Sequence, residues 1–501
     1  ASQTFNTLCV NKNSNTVTVG GSTTSLNLNG DMILSASTFD AGTATNIYMT
    51  AGNWNNNGGT FTPQTGTVTF NSSTGDQAIQ GTASSETFNN LTVATGSNTL
   101  AIGSSFSTIN VNGNVTLTSG TFDAGTASPT FNMTAGSWTN NGATFTPRTS
   151  TVLFSGSGSQ NINGTASAQT FYKLTVNKSA GTLAVGGSTS TLTLNSDITL
   201  TAGTFDKGTA STIYAGGNWT NNGGVFTCGI GTVECNSGVD QAINGTTASQ
   251  TFYNLRVNKT GGNLNISGST TTVTVNNVLT FLGGIIATGS GKISLPTTGS
   301  TSGAGAGKYI YGNEEIYIPN TSSVSRTFDI GGAANYRPVA LAFTGTCSGS
   351  GSIIARTDVG DDADIANSGI DATKSVNRTW TLTNSGVGGY TNYSATYTFV
   401  ASDVDAGANT ANFEIRRNTG GTWYATTAGA RTATTTQCTG ETVFGKCQIG
   451  EKATLTVATQ PLDTTKCAGY PTSFTSTSSS TPTPTVKWQR DPNTGTFADI
   501  T

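Results

Sequence analysis

The densest group of acidic residues is a short stretch that carries Asp358, Asp361, Asp362 and Asp364. Carboxylate oxygens are the ligands that Ca²⁺ prefers in proteins. The spacing is not that of an EF-hand, so the stretch predicts a loop site for Ca²⁺ at most. The alternative is a solvated acidic loop whose Asp side chains cap turns. We expect no other cofactor.

The chain has no histidine among its 501 residues, which removes the commonest general base and most transition-metal sites. Asp40, Asp123 and Asp206 recur at one position of a sequence repeat. We expect them to lie about 19 Å apart, well beyond the roughly 5–9.5 Å between the paired carboxylates of glycoside hydrolases. The sequence therefore predicts turn caps at these positions, and a protein that is not an enzyme.

Three tryptophans, Trp54, Trp138 and Trp219, also recur at one position, each followed by an Asn-rich turn. Exposed aromatic rings in a row could form a platform for sugars. Large aromatic side chains contribute most when they are buried, so we predict that these three pack in the core or between coils. Glycan binding is kept as the alternative.

Two pairs of cysteines are close in sequence, Cys228 with Cys235 and Cys438 with Cys447. We predict that each pair forms a disulfide across a strand-turn-strand unit in an oxidising compartment. The first pair is favoured because two aligned positions, Pro and Phe in the first two repeats, change to Cys together in the third.

The remaining cysteines, Cys9, Cys347 and Cys467, are expected to be unpaired or to bond another chain. Cys9 lies at an outward strand position between inward-facing Leu8 and Val10. A partner in a preceding repeat or in a second chain is one interpretation, and a free surface thiol is the other.

A sequence repeat of about 82 residues organises the first half of the chain. The segment Thr-Phe-x-x-Leu occurs four times, at Phe5, Phe88, Phe171 and Phe252, with spacings of 83, 83 and 81 residues. Strand-like stretches begin about every 20 residues, which predicts four coils per repeat. We predict a right-handed parallel β-helix over residues 1–296, with repeats at about 1–82, 83–165, 166–247 and 248–296. Tandem β-sandwiches throughout are the alternative.

The pattern changes after about residue 296. Residues 308–457 hold most of the charge and alternate apolar with polar side chains, which predicts an antiparallel β-sandwich. Residues 458–501 carry Cys467 and, 21 residues later, Trp488. This spacing indicates the start of an immunoglobulin-like module, whose second cysteine would lie beyond Thr501.

Composition excludes several classes of protein. The 22 basic and 25 acidic residues give a net charge of −3, which does not favour nucleic acid. No run of 18 apolar residues is present, so no membrane-spanning helix is predicted. Only 9% of residues are charged and 64 are Gly, while 22 Phe and 13 Tyr are too many for a disordered chain. An extracellular β protein fits this composition.

Several motifs resemble repeats of giant secreted surface proteins from Bacteroidetes-like bacteria. The main one is Gly-Asn-Trp-x-Asn-Asn-Gly-Gly-x-Phe-Thr at 52–62 and 217–227, followed by Gln-Ala-Ile-x-Gly-Thr at 77–82 and 241–246. Residues 375–383, 403–409 and 460–488 add to the resemblance. It implies type IX secretion to the bacterial surface, adhesin-like or filamentous members, and a C-terminal sorting domain.

From these observations we predict an extracellular structural protein that forms a stiff rod or filament on the bacterial surface. Its partners would be further copies or neighbouring repeats, because residue 1 begins inside a repeat and the ends of a β-helix are unpaired strand edges. The closest alternative is an adhesin or glycan-binding protein that displays a distal domain and contacts surface glycans. A polysaccharide-degrading β-helix enzyme is less favoured.

Overall fold

The structure, a computed structural model, is all-β, with 59% of residues in strands and 2% in helix. It describes residues 1–454, 456–459, 473–479, 487–490, 495–496 and 498–499. The chain divides into two compact units, Ala1–Ile293 with Thr298–Ala304, and Ser294–Thr297 with Gly305–Thr501. The predicted fold class, a parallel β-helix followed by an antiparallel β domain, is confirmed.

The strands of the first unit are short and closely spaced. In chain order they are β1 (Ser2–Phe5), β2 (Leu8–Thr18), β3 (Ser25–Leu28), β4 (Met32–Asp40), β5 (Asn46–Met49), β6 (Trp54–Asn56), β7 (Thr60–Thr62), β8 (Thr67–Phe70), β9 (Gln77–Gly81), β10 (Ser85–Phe88), β11 (Asn90–Ile102), β12 (Thr108–Val111), β13 (Val115–Asp123), β14 (Thr130–Met133), β15 (Trp138–Asn140), β16 (Thr144–Thr146), β17 (Thr151–Phe154), β18 (Gln160–Asn163), β19 (Ala168–Phe171), β20 (Lys173–Val185), β21 (Thr191–Leu194), β22 (Ile198–Asp206), β23 (Thr212–Ala215), β24 (Trp219–Asn221), β25 (Val225–Thr227), β26 (Thr232–Cys235), β27 (Gln241–Gly245), β28 (Ser249–Asn258), β29 (Leu264–Ile266), β30 (Thr272–Gly283), β31 (Ile286–Leu295) and β32 (Ser300–Ser302).

These strands pair in parallel with strands one turn away. Ser2 lies beside Ser25, Ser25 beside Asn46, Asn46 beside Thr67, and Thr67 beside Asn90, so a turn takes 21 to 23 residues here. Parallel pairing at this distance is the pattern of a β-solenoid, in which each turn bonds the next. The alternative of tandem β-sandwiches is therefore wrong for this region.

Each turn of the solenoid has three strand segments, which define three faces. Face A begins with β1, face B with residues 8–10 and face C with residues 16–18, and each stacks on the same face of the following turn. Longer strands such as β11 pass from one face to the next through a corner where the register shifts. The chain thus visits faces A, B and C in a fixed order.

The sequence repeat spans eleven of these segments, which is three turns and two thirds. Between its visits to face A at β8 and at 90–93, the chain passes β9 on face B and then β10, which therefore lies on face C. By the same order Phe5 lies on face A, Phe88 on face C, Phe171 on face B and Phe252 again on face A.

The prediction of four coils per repeat is therefore wrong. Each turn takes about 22 residues rather than 20, because the corners add residues that the strand alternation does not mark. With about 4.8 Å between turns, one repeat advances about 18 Å along the solenoid. Each repeat also starts one face away from the previous one, and the starting face returns only after three repeats.

The solenoid core follows the predicted alternation. Leu91 and Val93 are fully buried, while the residues between and beside them face outward. Trp138 packs edge-on against Phe145 and Phe171, at ring distances of 4.8 and 5.4 Å. The same aromatic cluster recurs in each repeat, on a different face each time.

One corner requires glycine in every repeat. Gly164 has a φ of +119°, and a Cβ built on it would lie 2.0 Å from the carbonyl oxygen of Asn140 one turn below. Gly81 and Gly245 show the same conflict with the equivalent Asn residues. Any side chain at this position would collide with the backbone of the neighbouring turn, which explains the invariant Gly-Thr after this strand within the three repeats.

The remaining elements belong to the second unit. They are β33 (Ile310–Tyr317), β34 (Ser325–Phe328), β35 (Ile330–Gly331), β36 (Val339–Thr344), β37 (Ser352–Val359), η1 (Ile365–Asn367), β38 (Ile370–Ser385), β39 (Asn392–Thr398), η2 (Ala401–Asp403), η3 (Thr410–Asn412), β40 (Phe413–Thr419), β41 (Thr422–Ala425), β42 (Thr427–Arg431), β43 (Thr435–Glu441), β44 (Lys446–Lys452), β45 (Thr456–Thr459), β46 (Thr477–Ser479), β47 (Gln489–Arg490) and β48 (Ala498–Asp499).

Two antiparallel sheets form the sandwich of the second unit. One runs β33–β37–β38–β44–β40–β41 and the other β34–β36–β39–β43–β42. Their inner faces meet through aromatic contacts, for example Trp380 with Tyr397 at 5.4 Å between ring centres. Most of residues 458–501, including Cys467, lie outside the described residues, so the immunoglobulin-like start stays a prediction.

Candidate functional site

The four aspartates predicted as a Ca²⁺ site do not converge. Asp358 is half-exposed and forms an ion pair with Arg356 at 2.8 Å. Asp362 is buried and pairs with Lys446 at 2.9 Å. Asp364 accepts a hydrogen bond from the indole nitrogen of Trp423 at 3.0 Å.

Asp361 belongs to a separate hydrogen-bond network. Its Oδ1 accepts from Ser375 Oγ at 2.7 Å and from Gln448 Nε2 at 2.9 Å. Asp405 Oδ2 accepts from the backbone N–H of Ser375 at 2.8 Å. Burial raises the pKa of Asp361, and the charge of Asp405 raises it further. This network ties the loop to β38 and β44, which is a structural role.

No group of three or more His, Cys, Asp or Glu side chains is placed to hold a metal ion among the residues that the structure describes. The acidic stretch therefore corresponds to the alternative interpretation, a loop whose carboxylates bond neighbouring strands and cap turns. Asp362, for example, accepts from the N–H of Asp364 at 2.8 Å.

Cys228 and Cys235 are both free thiols, so the first predicted disulfide is not formed. The prediction assumed that the chain folds back between them. Instead Cys228 lies at a corner before β26 and Cys235 ends β26, which pairs with β23 and β28 rather than with β25. The extended strand carries the two sulfurs apart. Cys235 is buried, and burial raises the pKa of its thiol to about 12.

Cys438 and Cys447 are also free thiols. The prediction placed them on one hairpin, but Cys438 lies on β43 in one sheet and Cys447 on β44 in the other. Cys447 Sγ is 3.1 Å from the hydroxyl oxygen of Tyr397, and burial raises the pKa of Cys447 to about 11. Both side chains therefore act as small core residues of the sandwich.

Among the other cysteines, Cys9 is exposed on face B and Cys347 is buried, and both are free thiols. Cys467 lies outside the described residues. Whether Cys9 bonds a second chain stays a prediction.

The three repeated tryptophans are buried, as predicted. Trp54 lies on face B, Trp138 on face A and Trp219 on face C, each about 1% exposed or less. Their rings contact phenylalanines of adjacent turns, as when Trp54 approaches Phe88 at 5.4 Å. They form no exposed platform for sugars.

The repeated aspartates cap turns, again as predicted. Oδ1 of Asp40, Asp123 and Asp206 accepts the N–H of the glycine two residues later, at 2.8–2.9 Å. They lie on faces C, B and A in turn. A catalytic groove that uses several of them on one side of the solenoid is therefore not assembled.

A buried polar network at one corner was not found from the sequence. Gln160 Nε2 donates to the carbonyl oxygens of Met133 and Gly136, at 3.0 and 2.8 Å, and its Oε1 accepts the N–H of Gly156. Lys178 Nζ, one turn above, donates to Gln160 Oε1 at 2.6 Å and to the Gly156 carbonyl at 2.9 Å. Burial lowers the pKa of Lys178. Gln recurs at this position in three repeats, and that was the available signal.

One buried carboxyl departs from the repeat. Glu86 accepts from Trp54 Nε1 at 2.7 Å and from Asn56 Nδ2 at 2.9 Å, and burial raises its pKa. The equivalent positions in the next repeats are Gln169 and Gln250, whose amides donate to backbone carbonyls at 2.8 Å. Neutral amides thus perform the same role without a buried charge.

Two faces carry continuous columns of small outward side chains, nearly all threonine. The column on face C is Thr16, Thr38, Thr60, Ser85, Thr108, Thr130 and Thr151. The column on face B is Thr99, Thr121, Thr144, Ala168, Thr191, Thr212 and Thr232.

The eleven-segment repeat produces these columns, because it places one Thr ladder of a repeat directly in line with another ladder of the next repeat. The sequence shows the individual Thr-x-Thr strands. Their alignment becomes visible only when the number of segments per repeat is known.

Comparison with family models, curated proteins and solved structures gave no match for this chain. Among the described residues, no helix has the length and apolar character needed to cross a membrane.

Proposed function

We propose that the chain is an extracellular structural protein of a bacterial surface and that its solenoid serves as a stiff rod or filament element. The observation that carries this proposal is the parallel ladder that runs from β1 to β32 across all three faces. Each turn is bonded to its neighbours along its strands, so bending would require many hydrogen bonds to lengthen together.

The chemistry of the solenoid supports a structural role. Its repeated Asp and Trp side chains are used for turn caps and core packing, and they lie on different faces. Residues 1–250 contain 14 charged side chains, which leaves few Lys and Arg sites for extracellular proteases of trypsin-like specificity.

The location on a bacterial surface rests on the motifs at 52–62 and 217–227, which resemble repeats of secreted surface proteins. Display of a distal domain by the rod is the second form of the proposal. It is favoured by the second compact unit, which has a different fold and carries most of the charge.

Electron microscopy of the purified full chain tests the proposal. We expect elongated particles, since about thirteen turns at ~4.8 Å give a solenoid about 60 Å long. Fibres with a constant axial repeat would assign self-assembly to the chain itself, and single rods would favour display. Compact particles without an elongated part would contradict the rod. Protease treatment of intact source cells tests the location, because a surface protein is cleaved while a cytoplasmic control stays intact.

A further inference from the structure

The two threonine columns have free hydroxyl groups. Threonines at corners bond the backbone, as when Thr43 Oγ1 donates to the carbonyl oxygen of Thr23 at 2.7 Å. By contrast, Thr108, Thr130 and Thr151 on face C make no side-chain hydrogen bond within the described part of the chain. Thr191 and Thr212 on face B behave in the same way. The columns therefore offer unused donors and acceptors to the surroundings.

The spacing of these hydroxyls suits bridging water. Neighbouring strands lie about 4.8 Å apart, which is too far for a direct O–H···O bond of about 2.8 Å. A water molecule bonded to two adjacent hydroxyls at about 2.8 Å has an angle of roughly 115–120° between its two partners, close to tetrahedral. A column of seven levels can therefore hold a row of water in nearly tetrahedral geometry.

The neighbouring side chains are compatible with an uncharged ligand. Along face C from Ser85 to Thr151, the second outward position holds Thr87, Asn110, Asn132 and Leu153. These four levels carry no charged side chain, which offers nothing to a polyanion or polycation.

The area of a column does not suit a second copy of the chain. Six spacings of ~4.8 Å and three residues of ~3.3 Å give a strip of about 300 Å². A stable protein interface buries about 800 Å² on each partner. A ligand that makes many equivalent, regularly spaced contacts fits the column better than a protein partner.

We propose that the columns on faces B and C bind the surface of ice. The methyl groups and hydroxyls of the threonines order a row of water whose geometry continues into the ice lattice. This activity is additional to the rod or filament role and does not depend on it.

Partition of the full chain into slowly grown ice tests the proposal. The test variant combines Thr130→Lys on face C with Thr212→Lys on face B. A matched control is Asn46→Lys, since Asn46 occupies the same repeat position on face A, where no continuous threonine column is formed. We expect the wild type and Asn46→Lys to enter the ice. The double variant should partition roughly tenfold less, because each removed hydroxyl interrupts two bridging waters.

A second double variant, Thr130→Val with Thr212→Val, keeps the β-branched shape and removes only the hydroxyl groups. It should also partition less than the wild type, and circular dichroism will show that each variant is folded. Exclusion of the wild type from ice overturns the proposal, and so does an equal loss in Asn46→Lys. Sedimentation or binding to insoluble glucan that the double Lys variant abolishes would assign the columns to a second copy or to polysaccharide, and would also overturn it.

Discussion

The solenoid and the sandwich bury polar groups in different ways. In the solenoid, buried amides and lysines mostly bond the main chain of an adjacent turn, as Gln160 and Lys178 do. In the sandwich, buried charges bond each other: Arg337 pairs with Asp403 at 2.9 Å, and Arg378 approaches the same carboxylate at 3.6 Å. Contacts to the main chain can be repeated, because every turn offers the same carbonyls and N–H groups. Ion pairs are individual, and they fix one arrangement of one domain.

The largest difference should appear when Asp403 is replaced. Asp403→Ala leaves Arg337 and Arg378 buried without a carboxylate, and we expect the free energy of unfolding of the sandwich to fall by about 3–5 kcal/mol. Hydrogen exchange of β38 and of solenoid strands during denaturant titration separates the two units. Asp358→Ala removes an exposed ion pair and should cost about 1 kcal/mol or less. Equal losses in the two variants would contradict the importance of the buried network.

The solenoid corner should lose less. Gln160→Leu removes a partner from the carbonyls of Met133 and Gly136, from the N–H of Gly156 and from Lys178. We expect a loss of about 1–3 kcal/mol, measured by denaturant unfolding of the full chain. Gln241→Leu in the next repeat should give a similar value. Gln64→Leu, at an exposed position, serves as the control, and a loss as large as that of Gln160→Leu would show that the corner has no special role.

Exchange of a buried charge for an amide should increase stability. At pH 7 we expect Glu86→Gln to gain on the order of 1 kcal/mol, because the amide that other repeats use needs no buried charge. Burial raises the pKa of Glu86 in the folded state above 4.5. The wild type is therefore stabilised at low pH and loses that stability as the pH rises from about 4.5 through the raised pKa. The gap between variant and wild type should open in the same window, and Gln250→Glu should show the opposite effect. Thermal unfolding from pH 4 to pH 8 measures both, and a gap that does not change with pH would contradict the assignment.

The smallest effect should come from the exposed ion pair of the second repeat. Arg148 pairs with Asp123 at 2.7 Å, and this hydrogen bond lowers the pKa of Asp123. Arg148→Ala should cost about 1 kcal/mol or less, and the difference should shrink when salt is added. Thermal unfolding at low and high ionic strength measures it. The other repeats already have Gln64 and Gly229 at this position, so a larger loss would be unexpected.

The sequence predicted the class of fold and the direction of the side chains, because alternation reports burial directly. The buried Trp138 and the turn-capping Asp123 follow from that pattern. The number of coils per repeat did not, because corners carry no regular mark, and a repeat of 83 residues fits four coils of 20 as readily as three and two thirds of 22. Both disulfide predictions were wrong for a related reason. Closeness in sequence was read as a hairpin, whereas Cys235 follows an extended strand and Cys447 lies in the opposite sheet.

The repeat of eleven segments also links length to direction. Insertion of one further repeat would lengthen the solenoid by about 18 Å and rotate every later residue by a third of a turn. Removal of residues 83–165 would shorten it by the same amount and rotate the later residues the opposite way. A gain or loss of three repeats would change the length and leave the direction unchanged. In a gene that recombines between its own repeats, copy number would thus set the side on which a distant surface is presented as well as its reach.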